Sequence, residues 1–466
     1  MTTIKSNSLD YRPLAWIAAI ALFMQSLDAT ILNTALPAIA VDMHESALEM
    51  QMAVISYALT VAALIPLSGW VADRFGTLHS FRVSVFVFVL GSVACAMSTT
   101  LNQLIAARVL QGIGGALMMP VARLAIIRYV PKNKIIAAWN LMAMAGLIGP
   151  VVGPILGGWF VTHMTWHWIF LMNLPIGLMG IWIAGKYMPN NYGNAGRLDW
   201  FGFLLFAFGL MGITFGLDVI ADDLNQKVKA LALIGGGIGL LILYVYHAKR
   251  ASNPLIPLSL WKVRTFTLGM IGNLLVRISG SGVPFLLPLM LQIAFHYDAQ
   301  TAGLMIAPIA VSSILIKTFA TKLLFKYGYK TSLILTALGM TVSIAAMALI
   351  TKDTPLWVYV PLIMFYGACM SLMFTAVNTL TIGDLNAQQA SAGSTLLSMM
   401  QQVGIGFGIA ISSVILALWR GALGENAEGL EQAFSYTFLV SSSFAILLAL
   451  LMSLLHKDDG DNLRKK

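Results

Sequence analysis

Residues 14–40 read LAWIAAIALFMQSLDATILNTALPAIA, an apolar run carrying a single acid, Asp28. About 20 residues at 1.5 Å of rise each cross a hydrocarbon core of roughly 30 Å, so this run predicts a membrane-spanning helix. Asp28 falls roughly 21 Å from its start, well inside the core. On a helical wheel Asp28 groups with Met24, Gln25, Ile31, Leu32 and Ala35, while Ser26, Thr30, Asn33 and Pro37 gather on the other side. Polar groups on both faces leave little surface fit for lipid. The run therefore reads as a central helix packed among others, with one side towards a cavity. It is too long for the apolar part of a signal peptide and leads directly into further spans.

The rest of the chain has the same character. Of its 466 residues 58% are hydrophobic and only 10% charged, far from the roughly 25% of soluble domains. Fourteen apolar stretches, from 14–38 to 434–455, predict an all-α polytopic membrane protein with no sizeable soluble domain. The net charge of +9 reports topology. If the N-terminus is cytoplasmic, the cytoplasmic loops hold 20 Lys and Arg against 7 Asp and Glu, and the outer loops 4 against 11. This is the positive-inside pattern, with both termini cytoplasmic, and it argues against nucleic-acid binding. Cys95 and Cys369 stand alone in separate spans, so neither a disulfide nor a metal site is expected. No cofactor is implied. GIWIAGKY, residues 180–187, has phosphate-loop spacing up to Lys186 but ends on Tyr187 with no preceding strand, and is discarded.

Two halves echo each other. Arg74-Phe75-Gly76, after the second span, reappears 252 residues later as Lys326-Tyr327-Gly328, after the tenth. Gly112 in the fourth span finds a counterpart in Gly367 of the twelfth. The simplest division is a six-helix bundle over 1–190, an inserted helix pair with its linkers over 191–262, a second six-helix bundle over 263–455 and a tail over 456–466. Repeated bundles with a site at their interface are the usual build of secondary transporters.

Several stretches carry chemistry. GWVADRFG, from Gly69, offers an Asp73–Arg74 charge pair at the bilayer edge between Gly69 and Gly76, a candidate latch between bundles. RVLQGIGGA places Arg108 about five residues, or roughly 8 Å, into the fourth span from its outer end. That depth matches Asp28. A bare arginine there is costly and must face protein or a cavity. GLIGPVVGPILGG sets Gly146, Gly149, Gly153, Gly157 and Gly158 around Pro150 and Pro154. Gly149, Gly153 and Gly157 share one face, which predicts close packing at a bending or sliding interface. WHWIFLMNLPIG, from Trp166, puts Trp166 and Trp168 at the outer interface as anchors.

In this order the stretches resemble the major facilitator superfamily, and within it the fourteen-span drug:proton antiporters. LDATILNTALP resembles the first-span motif, GWVADRFG the loop motif, RVLQGIGGA the fourth-span motif, GPVVGPILGG the fifth-span antiporter motif and WHWIFLMNLPIG the sixth-span opening. The chain departs from the pattern at Thr77 and Leu78, where basic residues are usual, and at His167, where an arginine is common. The resemblance implies a major facilitator fold of two six-helix bundles plus two helices. It also implies proton-driven export by alternating access across a bacterial cytoplasmic membrane, with Asp28 and Arg108 near the coupling machinery.

A buried carboxylate whose access changes can take up and release a proton. The substrate is less constrained. Gln25, Arg277, Gln292, Gln401 and Gln402 are candidates to line a cavity, Arg277 near the midplane, while Arg123 and Lys317 lie nearer the cytoplasm. Apolar, Met-rich spans fit export of amphipathic drugs. The cationic excess with no deep acid beyond Asp28 fits an anionic metabolite, such as a carboxylate or its metal complex. A membrane receptor or scaffold is the third reading, disfavoured by the missing soluble domain. A monomer is expected, with protons, lipid and a small solute as its partners.

Overall fold

Fourteen helices long and apolar enough to span a membrane account for nearly all of the computed structural model. It describes residues 12–463, apart from 48, 131, 194, 253 and 425, and shows no strand among them. The spans are α1 (Arg12–Met43), α2 (Gln51–Phe75), α3 (Thr77–Ala96), α4 (Leu101–Tyr129), α5 (Lys132–His163), α6 (Trp168–Tyr187), α7 (Trp200–Asp222), α8 (Lys227–Ala248), α9 (Arg264–Ala294), α10 (Ala299–Tyr327), α11 (Tyr329–Met347), α12 (Leu356–Gly383), α13 (Ala387–Leu423) and α14 (Ala427–Ser453). An even number of crossings returns the chain to the face it started from, here called the terminal face. The other is the far face.

Spans α1–α6 pack on one another, as do α9–α14, giving two six-helix bundles. They meet along two seams, α2 against α13 and α5 against α10. Helices in lipid gain little from hydrophobicity, so close backbone approach at small residues holds them together. The echoes seen in the sequence recur in this packing. Gly112 of α4 abuts Tyr57 and Thr60 of α2, and Gly367 of α12 abuts Ile309 and Ser312 of α10. In each half the fourth helix is thus pressed on the second at the same glycine.

The turn glycines match as well: Gly76 has φ +85° and Gly328 φ +77°, a region closed to most side chains. Gly76 is also hemmed in by the Asn190 side chain. Gly76→Ala should therefore lower stability by about 1–3 kcal/mol, read as a reduced midpoint of thermal unfolding in detergent. Gly69→Ala, at a glycine with open space around it, serves as the control. Equal midpoints for the two variants would refute this account of the turn.

The inserted pair is a tight hairpin. Gly209, Gly212 and Gly216 of α7 face Ile234, Gly237 and Leu241 of α8 at backbone distance. Asp199 caps α7 by accepting from Gly202 N at 2.8 Å and also meets His247 Nε2 at 2.7 Å. Spans α7 and α8 do not stand apart from the bundles. Helix α7 lies along the α2–α13 seam, touching both, and Gln51 Nε2 of α2 donates to Asp218 of α7 at 3.0 Å.

Candidate functional site

Helix α1 is central, as its two polar faces predict, and each face has its own partner. Along the Ser26 and Thr30 side runs the glycine ribbon of α5. Gly146 abuts Leu22, Gly149 abuts Ser26 and Leu27, Gly153 abuts Thr30 and Ile31, and Gly157 abuts Ile31 and Thr34. A β-carbon at Gly149, Gly153 or Gly157 would collide with α1, while at Gly146 it would meet only the end of the Leu22 side chain, so the row of glycines is what lets the two helices approach. Gly158 points the other way, against Ala299 and Gln300 of α10 in the second bundle. Pro154, one turn before it, presents its carbonyl to Gly303 of α10 and accepts from Thr34 Oγ1 at 3.4 Å. The motif of α5 therefore touches α1 with one side and the opposite bundle with another. Pro150 and Pro154 lie within an uninterrupted helix.

On the Asp28 side, α1 meets α4. Arg108 Nη1 donates to Asp28 Oδ2 at 2.6 Å, and Gln111 Nε2 donates to Asp28 Oδ1 at 2.7 Å, so both carboxylate oxygens are held. The guanidinium also reaches Gln111 Oε1 at 2.5 Å and, through Nε, the Ala53 carbonyl of α2 at 2.8 Å. Its carbon lies 4.4 Å from the centre of the Tyr57 ring. Gln111 passes the network on to Ser92 of α3 at 2.9 Å, and Asn173 of α6 donates to the same hydroxyl at 3.3 Å. Asp28, Arg108 and Gln111 are 2%, 1% and 0% exposed. Five helices of one bundle thus enclose one ion pair.

The matching depths of Asp28 and Arg108 correspond to direct contact. Gln111, Ser92, Tyr57 and Asn173 escaped the sequence reading. Gln111 had a signal, since it stands three residues after Arg108 and so on the same helix face. Ser92 and Asn173 had none, being ordinary polar residues whose role comes from distant helices. Trp166 corrects an expectation. Rather than facing outward as an anchor, it is buried, and its indole donates to Asp42 at the end of α1 at 3.0 Å. Trp168 is exposed.

The GWVADRFG loop also differs from a latch between bundles. Asp73 Oδ1 accepts from Arg128 Nη2 of α4, within its own bundle, at 2.5 Å, and Arg74 is exposed. Thr77 is buried and clasps the segment leading to the inserted pair. Its hydroxyl donates to the Pro189 carbonyl at 2.8 Å, and its N–H to the Asn191 carbonyl at 3.0 Å. Trp70 borders this clasp, through a bond from its indole to the Gly196 carbonyl at 3.0 Å, whereas Gly69 faces open space.

The cavity candidates fall into three places. Gln292 bridges the bundles: its amide donates to the Thr34 carbonyl of α1 at 3.1 Å. Beside it Asn33 Nδ2 donates to the Pro284 carbonyl at 3.2 Å. That carbonyl is available because Pro288, four residues on, has no N–H to offer it. With the Gly158–Ala299 and Pro154–Gly303 approaches, these bonds draw the bundles together in the far half. Gln25 is half-buried in the first bundle beside the Tyr57 hydroxyl. In the second bundle Arg277, Gln401 and Gln402 are all half-buried. Gln401 donates to Asn378 of α12 at 3.1 Å, and one turn before Asn378 the Phe374 ring lies 4.1 Å below the Arg277 guanidinium. Nearer the terminal face, Arg123 is half-buried and Lys317 exposed. Among the described residues no group of His, Cys, Asp and Glu is placed to hold a metal.

Residues 18–409 match the model of the Major Facilitator Superfamily. The chain belongs to this superfamily. It is 56% identical to the probable transport protein HsrA of Haemophilus influenzae, over 99% of both chains. It is 39% identical to a protein of Cronobacter sakazakii named "Putative multidrug resistance protein MdtD", over 96% of this chain and 95% of that one. Among solved structures it resembles a D-xylose–proton symporter, with a TM-score of 0.68 at 14% identity and 96% and 99% of the two chains covered. The nucleoside transporter NupG gives 0.67 at 15% identity, covering 94% and 98%. These two likenesses establish the fold. The chain is a membrane transporter and not an enzyme, and the receptor or scaffold reading falls away.

Proposed function

We propose that this superfamily member is a proton-coupled secondary transporter that exports amphipathic compounds across the bacterial cytoplasmic membrane by alternating access. In this reading residues 1–190 and 263–455 are the bundles that rock, 191–262 are the inserted pair and 456–466 the tail, and the protein works as a monomer. The carrying observation is the enclosed Asp28–Arg108–Gln111 network. It buries the one acid found deep in a span and ties it to four neighbouring helices, so a rearrangement of those helices changes the partners of the carboxylate and its access to water. The loop charges support a cytoplasmic terminal face. The bonds closing the far half then support an outer side shut in this conformation. The name carried by the MdtD relative supports a drug-like cargo.

The test uses inside-out vesicles energised by respiration. Adding an exported compound should release protons from the lumen, seen as recovery of a pH-sensitive dye, only in vesicles containing the protein. A broad panel of amphipathic compounds that leaves the dye unchanged, while labelled compound still accumulates, would show transport without proton exchange and overturn the coupling.

A further inference from the structure

Among the described residues Arg277 is the one cation near the middle of the second bundle, and none of them supplies it with an anion. Its side chain is clamped from behind: Gly404 of α13 leaves room for its Cβ and Cγ, and Gly408 for its backbone carbonyl. A larger residue at either glycine would push the arginine aside. The guanidinium carbon lies over the Phe374 ring, 4.1 Å from its centre. Its Nε is buried without an acceptor, and among the described residues no hydrogen bond or ion pair reaches any of its nitrogens. Arg108 makes a sharp contrast, since each feature missing at Arg277 is supplied there by Asp28, Gln111 and the Ala53 carbonyl.

Register adds a second observation. The 252-residue offset that relates Gly76 to Gly328 also relates Gln25 to Arg277. The two are half-buried at equivalent points of α1 and α9, one in each bundle. Ionisable groups kept in a membrane interior without a structural partner mark solute pathways. A planar guanidinium fixed on an aromatic ring suits a carboxylate or sulfonate, which takes two parallel N–H bonds.

We infer that the transported solute is an amphipathic organic anion whose acidic group docks on Arg277, with Phe374 under the guanidinium and the Gln401–Asn378 pair one turn away. This rests on the transporter reading above and names the charge class of its cargo.

The test is binding to the purified full chain in lipid nanodiscs, without any proton gradient, so that it stands or falls separately from coupling. Three probes share one aromatic body: 2-naphthalenesulfonate, 2-naphthol and trimethyl-(2-naphthyl)ammonium. The wild type should bind the sulfonate about tenfold or more tighter than the ammonium compound. Arg277→Gln should erase that preference, and Arg277→Lys should keep part of it. Asn378→Asp retains the arginine and places an acid one turn from Phe374. It should favour the cation, and it serves also if Arg277→Gln does not fold. Equal wild-type affinity for all three probes, or an unchanged anion preference in Arg277→Gln or Asn378→Asp, overturns the inference.

Discussion

Asp28→Asn should abolish proton-driven export while leaving the protein in the membrane and able to bind its solute. The carboxamide has the shape of the carboxylate, and its oxygen can still accept from Arg108 Nη1, which reaches the acid at 2.6 Å. What it lacks is the ability to gain and lose a proton. In a transporter coupled at this residue the variant resembles the permanently protonated state, so it should exchange labelled for unlabelled solute across the membrane but accumulate none against a gradient. The measurement pairs gradient-driven uptake into inside-out vesicles with solute exchange in vesicles at equal pH. Full accumulation by the variant would remove Asp28 from proton coupling and leave it as a clamp for Arg108.

Arg108→Ala should have the largest effect on stability. The substitution deletes the bonds to Asp28, Gln111 and the Ala53 carbonyl and the stacking on Tyr57. It leaves a carboxylate that is 2% exposed with only Gln111 as donor. Removing one partner of a buried pair strands the other charge, at a cost of about 3–5 kcal/mol. Thermal unfolding in detergent should show a marked fall in midpoint. Asp28→Asn with Arg108→Gln together should recover much of it, because no charge is then stranded. A double variant as unstable as Arg108→Ala would mean that packing around the guanidinium, and not charge burial, sets the cost. Coupling retained by a stable double variant would identify Asp28 as a structural tether and not a proton carrier.

Much of the site was legible in the sequence because the membrane makes polar residues conspicuous. In a soluble chain Asp28 and Arg108 would be two charges among many. Within spans that are otherwise apolar, each demands a partner, and a rise of about 1.5 Å per residue gives its depth without any fold. The glycine periodicity of α5 was readable for a similar reason: period fixes a face, and a row of missing side chains implies a close neighbour. What that neighbour would be was not readable. Ser26 and Thr30, grouped away from Asp28 on the wheel, receive the α5 glycines, whereas Gly158, next in sequence to Gly157, meets α10 of the other bundle. The Asp73–Arg74 pair shows the limit of reading adjacent charges. Neighbours in sequence on a helix point in different directions, so Asp73 finds Arg128, 55 residues on, and Arg74 faces outward.

By itself the sequence determined that fourteen helices lie in a membrane, that two halves repeat and that one deep acid matches one deep arginine in level. These follow from length, period and charge, which are local properties of the chain. Only the tertiary structure decided that Asp28 and Arg108 touch, that Gln111, Ser92 and Asn173 complete their network, that Gln292 ties bundle to bundle and that α7 lies along the α2–α13 seam. It also decided that Arg277 has an aromatic ring beneath it and, among the described residues, no anion beside it. Each of these depends on which helix faces which and by what rotation, and that is set by the packing of small residues brought together from distant parts of the chain.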